Sequence, residues 1–192
     1  IAKRLYREFR SRFADETSFR QTSKEYTSFA GATFESADAF TEATFDGDVD
    51  FSAVTFEADA TFDESRFLED VTFASSDFET GGSFSGAEFR GGARAIEDDA
   101  TFEGAVFGDE ADFRLATFRE ATFRDVTFDA DARFDRCVCD GDADFVGARF
   151  ESRADFDEVR FNANADFTGT TFEGDCAFRG AVFDGGNNHL GV

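Results

Sequence analysis

The chain has 192 residues and a formal net charge of −23, with a sequence pI near 4.2. A surface this acidic repels polyanions, so direct nucleic-acid binding is not expected, and no apolar run is long enough to span a bilayer as a helix. Pro, Met and Trp are absent while Phe occurs 30 times, a bias far from average usage that points to a repetitive interior.

Residues 1–13, IAKRLYREFRSRF, stand apart from the rest of the chain. Ile1, Leu5, Phe9 and Phe13 recur every four positions, and Lys3, Arg4, Arg7, Arg10 and Arg12 occupy the other face, which predicts an amphipathic helix. So short a helix is not stable alone and must dock. It suits a cap over the first unit of the adjoining repeat; the other readings are a membrane-surface anchor or a contact with a neighbouring domain or subunit. Residues 14–28 form an irregular lead-in, with Phe19 and Tyr26 out of register. The absence of Met points to a chain that is processed, trimmed or a fragment, and no signal-peptide pattern is visible at its start.

From Phe29 the pattern becomes strict. Phe29, Phe34, Phe40, Phe45, Phe51, Phe56, Phe62, Phe67, Phe73, Phe78, Phe84 and Phe89 succeed one another at five and six residues in alternation. Such segments are too short for helices with their own buried face and read as brief extended pieces joined by bends. On an extended piece, side chains two apart share a face. Ala43 therefore lies beside Phe45, Val54 beside Phe56 and Ala60 beside Phe62, one small and one large residue filling a narrow interior. No single unit can bury its Phe, so units must stack at the strand spacing of about 4.8 Å, each buried ring contributing roughly 1.5–3 kcal/mol before entropy. These residues predict a parallel β-solenoid.

The step from Phe89 to Phe102 is thirteen residues, read as a one-residue insertion at a corner with Ile96 or Ala95 in a core position and Gly91-Gly92 permitting irregular backbone. A loop on the side of a solenoid is also where contacts are placed. Phe113, Phe118, Phe123 and Phe128 then run at five, so one corner has lost its sixth residue. Arg114, Arg119 and Arg124 each come directly after one of these rings and are expected on successive faces. Where the sixth residue is kept it is mostly acidic: Asp48, Asp59, Asp70, Asp99, Glu110, Asp131, Asp142 and Asp175. The expectation is two opposed columns of corner carboxylates that cap turn backbone or recruit cations. Cys139 takes a Phe position, and Cys137 and Cys176 take the small position before it, so all three are expected as core fillers, with a disulfide or soft-metal site as alternatives. Residues 184–192 read as a flexible Gly/Asn-rich tail that leaves the last coil, with Phe178 and Phe183, open to contact.

Ala43-Thr44-Phe45-Asp46-Gly47, Ala111-Asp112-Phe113-Arg114-Leu115 and Ala154-Asp155-Phe156-Asp157-Glu158 resemble the pentapeptide repeat, A-(D/N)-(L/F)-x-x. The resemblance runs over roughly residues 27–185 and departs from the family pattern in the sixth residue of every second segment, like a Phe-rich five-plus-six branch. It implies an all-β, right-handed quadrilateral parallel β-helix of about seven coils, here with a short α-helical cap. The resulting division is 1–28 helix and lead-in, 29–183 solenoid, 184–192 tail. Some members of the family resemble duplex DNA and protect type II topoisomerases.

No catalytic constellation is expected. The sole His is His189, no phosphate-binding G-x-x-x-x-G-K-[ST] loop occurs, and carboxylates on a convex rod lack the apolar cleft that splits their pKa values. No catalytic, metal or cofactor residues are assigned. Lys occurs only at 3 and 24 amid abundant acid, as in proteins of salt-accumulating halophiles. The reading is a cytoplasmic, non-enzymatic structural or protein-interaction rod from a halophile. Its contacts lie at the ends, Ile1, Leu5, Phe9 and Phe13 at one and Phe178 and Phe183 at the other. The alternative is a DNA mimic acting on a type II topoisomerase.

Overall fold

The computed structural model describes residues 20–21, 26–35, 40–91, 100–186 and 188–189. Within them every strand is two residues long and every pairing is parallel. The strands stack into four sheets of eight, seven, six and seven strands, the walls of a four-sided solenoid of about seven coils. Face A runs from Arg20–Gln21 through Thr44–Phe45, Arg66–Phe67, Glu88–Phe89, Thr117–Phe118, Val138–Cys139 and Arg160–Phe161 to Val182–Phe183. Face B contains Val49–Asp50, face C Thr55–Phe56 and face D Ala60–Thr61, and the chain visits A, B, C and D in that order before rising one coil.

The five-and-six alternation is a difference between corners. After Phe51 the chain turns tightly: Ala53 has φ 51° and the Val54 amide donates to the Phe51 carbonyl at 3.3 Å, the signature of a type II turn. The same turn comes after the rings of faces B and D, with a positive φ two residues after the Phe at Glu42, Glu64 and Gly86, for example. Asp50 caps this turn, its Oδ1 accepting from the Ser52 amide at 2.8 Å; Asp112, Asp144, Asp155 and Asp166 do the same for Arg114, Val146, Asp157 and Thr168. The Asp of the Ala-Asp-Phe motif is therefore a turn cap. Corners after faces A and C are wider and hold the sixth residue; there the backbone bonds along the axis, as in the Val49 amide to the Asp70 carbonyl at 2.9 Å.

Inside, the rings form four columns. Phe45 and Phe67 stack with centroids 4.7 Å apart and planes within 1°; Phe51 and Phe73 stack at 4.9 Å within 2°. Columns B and D meet edge-to-face across the axis, as for Phe62 and Phe73 at 5.3 Å and 81°. Both arrangements are favoured by the ring quadrupole and add about 0.5–1.5 kcal/mol per pair beyond burial. All twelve rings from Phe29 to Phe89 are buried, as are the small partners Ala43, Val54 and Ala60.

Three expectations change. Phe89 on face A leads directly to Ala100–Thr101 on face B, which pairs with Val71–Thr72, while Phe102 stacks on Phe73 at 5.0 Å. Ala95 and Ile96, the expected core positions of this step, lie outside the described residues. The insertion is seven residues at one wide corner rather than one, since Phe89 pairs with Phe118, 29 positions on, where Phe45 pairs with Phe67, 22 on. The residue lost later belongs to the same corner one coil along, between Phe118 and Ala121. Next, Cys176 is exposed rather than a core filler, its strand being the terminal one of face D among the described residues; Cys137 and Cys139 are buried as expected. Last, the region expected to be a flexible tail includes an ordered return: His189 bridges Asp166 in parallel, and its carbonyl accepts from the Phe167 amide at 2.7 Å. The helix expected over 1–13 lies outside the described residues.

Candidate interaction surfaces

The two ends of the ring stack differ. At the first coil Phe29, Phe34 and Phe40 are 4 %, 1 % and 1 % exposed. At the last, Phe172, Phe178 and Phe183 pack against the core but are only half-buried. Phe183 lies 5.0 Å from Phe161 and tilts 30° away from parallel, where the stacked pairs along the columns stay within 18°. Among the described residues, the edges of faces A, C and D at this end, Val182–Phe183, Thr171–Phe172 and Cys176–Ala177, pair on one side only. On face B, Asn188 and His189 cover the Ala165–Asp166 edge, the Asn188 Oδ1 accepting from the Ala165 amide at 2.9 Å. Of the end residues singled out from the sequence, Phe178 and Phe183 sit together, half-buried, with ring centroids 5.9 Å apart. Ile1, Leu5, Phe9 and Phe13 lie outside the described residues.

The corner carboxylates form interrupted columns. One wide corner carries Asp48, Asp70, Glu120, Asp142 and then Asn164; the opposite one carries Asp59, Gly81, Glu110, Asp131, Arg153 and Asp175. Asp131 accepts from the Ser152 hydroxyl at 2.7 Å and the Arg153 amide at 3.2 Å, and Asp142 from the Asn164 amide at 3.0 Å. These side chains cap the backbone of the next coil, the first of the two roles expected for them. The Ser152 bond, against a small burial penalty, holds the Asp131 carboxyl below the usual range. Asp166 is lowered chiefly by Thr168, and Asp157 by Arg179, which donates to it through side chain and backbone. Asp135 is the exception: burial, then the neighbouring Asp155, raises it. Among the described residues no three His, Cys, Asp or Glu side chains gather as a metal cluster.

Cys139 stands in the face A column between Phe118 and Phe161, in register with both. Burial, reinforced by the Cys139 thiol, pushes the Cys137 thiol well up. Burial and then Asp155 push the Cys176 thiol up to about 11. All three are free cysteines, and for Cys137 and Cys176 the raised values hold the thiol in its unreactive form at neutral pH.

Residues 96–138 and 134–182 match the family of pentapeptide repeats (9 copies). The same segments form the four-sided ladder of Phe columns and Asp-capped turns. The stretch from 96 to 182 is a run of pentapeptide repeats. A solved structure aligned with it is HetL, a pentapeptide repeat protein involved in heterocyst differentiation regulation from the cyanobacterium Nostoc sp. strain PCC 7120. The two are 14 % identical over 96 % of this chain and 98 % of that one, with a TM-score of 0.20. No curated protein matches the sequence.

The chain departs from strict repetition at few places, and two features of its surface are not apparent from the sequence. The return of Asn188 and His189 onto face B leaves no periodic signal, because it lies beyond the last Phe. The charge distribution among the four faces becomes visible only when the sequence is read at one coil rather than at five and six. Among the described residues no helix is long and apolar enough to cross a membrane.

Proposed function

We propose that this pentapeptide-repeat protein is a non-enzymatic, cytoplasmic structural and protein-interaction rod of a halophilic organism, making its contacts through its ends. The observation that carries this reading is the contrast between the covered rings Phe29, Phe34 and Phe40 and the half-buried rings Phe172, Phe178 and Phe183. A ring-filled interior leaves no room for a substrate, while an open last coil offers apolar surface and unpaired strand edges to a partner or a second copy. In this reading residues 1–13 form the cap of the covered end, with Leu5, Phe9 and Phe13 against the first coil. Light scattering in molar KCl tests it: association that Phe178→Glu abolishes is expected, and a strict monomer that captures no partner contradicts it.

A second reading, a DNA mimic that occupies a type II topoisomerase, is favoured by one feature of face C. The residue after each ring there is Glu35, Glu57, Glu79, Asp129, Glu151 or Glu173, broken only by Gly108. This is a column of carboxylates one strand spacing apart, about 4.8 Å. Competition with duplex DNA for gyrase is the test; absence of gyrase binding at both physiological and high salt eliminates this reading.

A further inference from the structure

Two of the three cysteines share one corner of the solenoid. Cys137 and Cys139 lie two apart on the extended piece that enters face A, so both side chains point inward. They are 1 % and 2 % exposed, and the Cys137 and Cys139 thiols hydrogen-bond each other. Each stands where other coils carry a different residue. The position of Cys137 holds Ala43, Ala87, Ala116 and Val159 elsewhere on this face, and that of Cys139 holds rings from Phe45 to Phe118 and again at Phe161 and Phe183. A thiol in a ring position forfeits burial and stacking that one added sulfur at 137 does not return. Two substitutions that packing does not favour therefore fall on one strand, with their sulfurs side by side.

The surroundings decide what such a pair can hold. Cys139 is in register with Phe118 in the preceding coil and Phe161 in the next, and the flanking rings Phe134 and Phe145 are buried too. The carbonyls of Cys137 and Cys139 are already engaged, accepting from the Arg160 and Asn162 amides at 2.9 Å each. Sulfur and ring faces are what remains. A hard cation needs six or more oxygens and zinc needs four ligands, whereas among the described residues no three His, Cys, Asp or Glu side chains gather. Thiolates select soft ions such as Cu(I), and ring faces attract a cation further. The spacing agrees. Two Cα atoms on an extended piece are about 6.6 Å apart, at the far limit for a disulfide. A linear ion with metal–sulfur bonds of about 2.3 Å needs sulfurs about 4.6 Å apart, within reach of two side chains on one face of a strand.

We propose that Cys137 and Cys139 form a buried two-coordinate site for a soft d10 cation, of the class of Cu(I), held between their sulfurs inside the Phe-lined solenoid. On binding, two S–H bonds break and two metal–sulfur bonds form; both protons leave to solvent and nothing is oxidised or reduced. The ion then occupies space that a ring fills in the other coils of this column, and ties the corner before face A to the strand that follows it. Cys176, exposed and on face D, takes no part. The site lies in the body of the solenoid and does not depend on association through the ends.

The probe is Cu(I), kept reduced without oxygen in chloride-free buffer and offered to the full chain, folded or during refolding, against a chromogenic Cu(I) chelator. Retention of a single ion per chain is expected, together with a higher melting temperature. Retention should fall about tenfold or more in Cys137→Ala and in Cys139→Phe, and stay unchanged in Cys176→Ser. The first two variants restore residue types that other coils of face A use at those positions, and circular dichroism checks that they fold; Cys137→Ala, the smaller change, decides the matter if Cys139→Phe does not. No retention by the wild type overturns the proposal. So does equal retention by Cys137→Ala, retention that lowers the melting temperature, or Zn²⁺ held as tightly as Cu(I).

Discussion

Each core position in this molecule has a size, and single residues show where the size is enforced. Gly81 holds φ 88°, and a Cβ added there would meet the backbone carbonyl oxygen of Glu110 in the next coil. The neighbouring Gly82 would place its Cβ 3.0 Å from the Phe78 ring and 3.2 Å from that of Phe107. Backbone cannot yield as a flexible side chain does, so Gly81→Ala should cost about 2 kcal/mol or more in denaturant unfolding; a cost under about 0.5 kcal/mol would mean the coils are not pressed together here. Cys139 is the opposite case. It interrupts a column that holds rings from Phe45 to Phe118 and again at Phe161 and Phe183, and Phe161 comes within 6.4 Å of Phe145. Cys139→Phe should restore the stack and raise stability by about 1–2 kcal/mol, read as a higher melting temperature; a loss would show that Phe161 already fills the space.

At the scale of the corner, polar side chains tie one coil to the next. Asp131 bonds Ser152 and Arg153 in the adjoining coil, and Asp50, Asp131 and Asp166 all ionise more readily folded than unfolded. For Asp50 burial opposes this but is outweighed by hydrogen bonds from Ser52, Tyr26 and Ser28. A carboxyl depressed by folding contributes stability that is complete above its unfolded pKa, about 3.9, and is lost as pH falls through the lower folded value. Asp135, raised by burial, works in the other direction. Acidification also removes self-repulsion, so the clean quantity is a difference: wild type should exceed Asp131→Ala by about 1 kcal/mol or less at neutral pH. That gap should close between about pH 4 and pH 2. A gap independent of pH would mean the carboxylate is not the capping species. The corners also mark how far the sequence is legible. The alternation of five and six assigns wide and tight corners their places, because each ring is a large, unmistakable marker. The thirteen-residue step misleads, because a sequence carries no sign of which face a ring joins; only the pairing of Ala100 with Val71 shows that no face was skipped.

Over the whole molecule the balance is between a Phe-rich interior and an acidic exterior. The net charge of −23 opposes compaction, and at about 1 M salt the Debye length shrinks to about 3 Å, screening one carboxylate column from the next. The melting temperature should therefore climb steeply as KCl rises from about 0.1 M to about 2 M; a flat profile would contradict the reading of the surface as adapted to salt. The open end and the carboxylate column of face C are legible in the sequence to different degrees for a physical reason. An unfinished stack is implied by where the rings stop, at Phe178 and Phe183. A column is instead assembled from residues such as Glu79 and Glu151, which are far apart in sequence and align only once the coil length, its insertion and its deletion are known. The stacked core is tested most directly by nuclear Overhauser contacts between selectively labelled Phe rings. Contacts between Phe51 and Phe73 and between Phe62 and Phe84, each pair about 4.9 Å apart, are predicted to be among the strongest aromatic signals. Their absence, with rings contacting only neighbours close in sequence, would contradict the stacked-coil core.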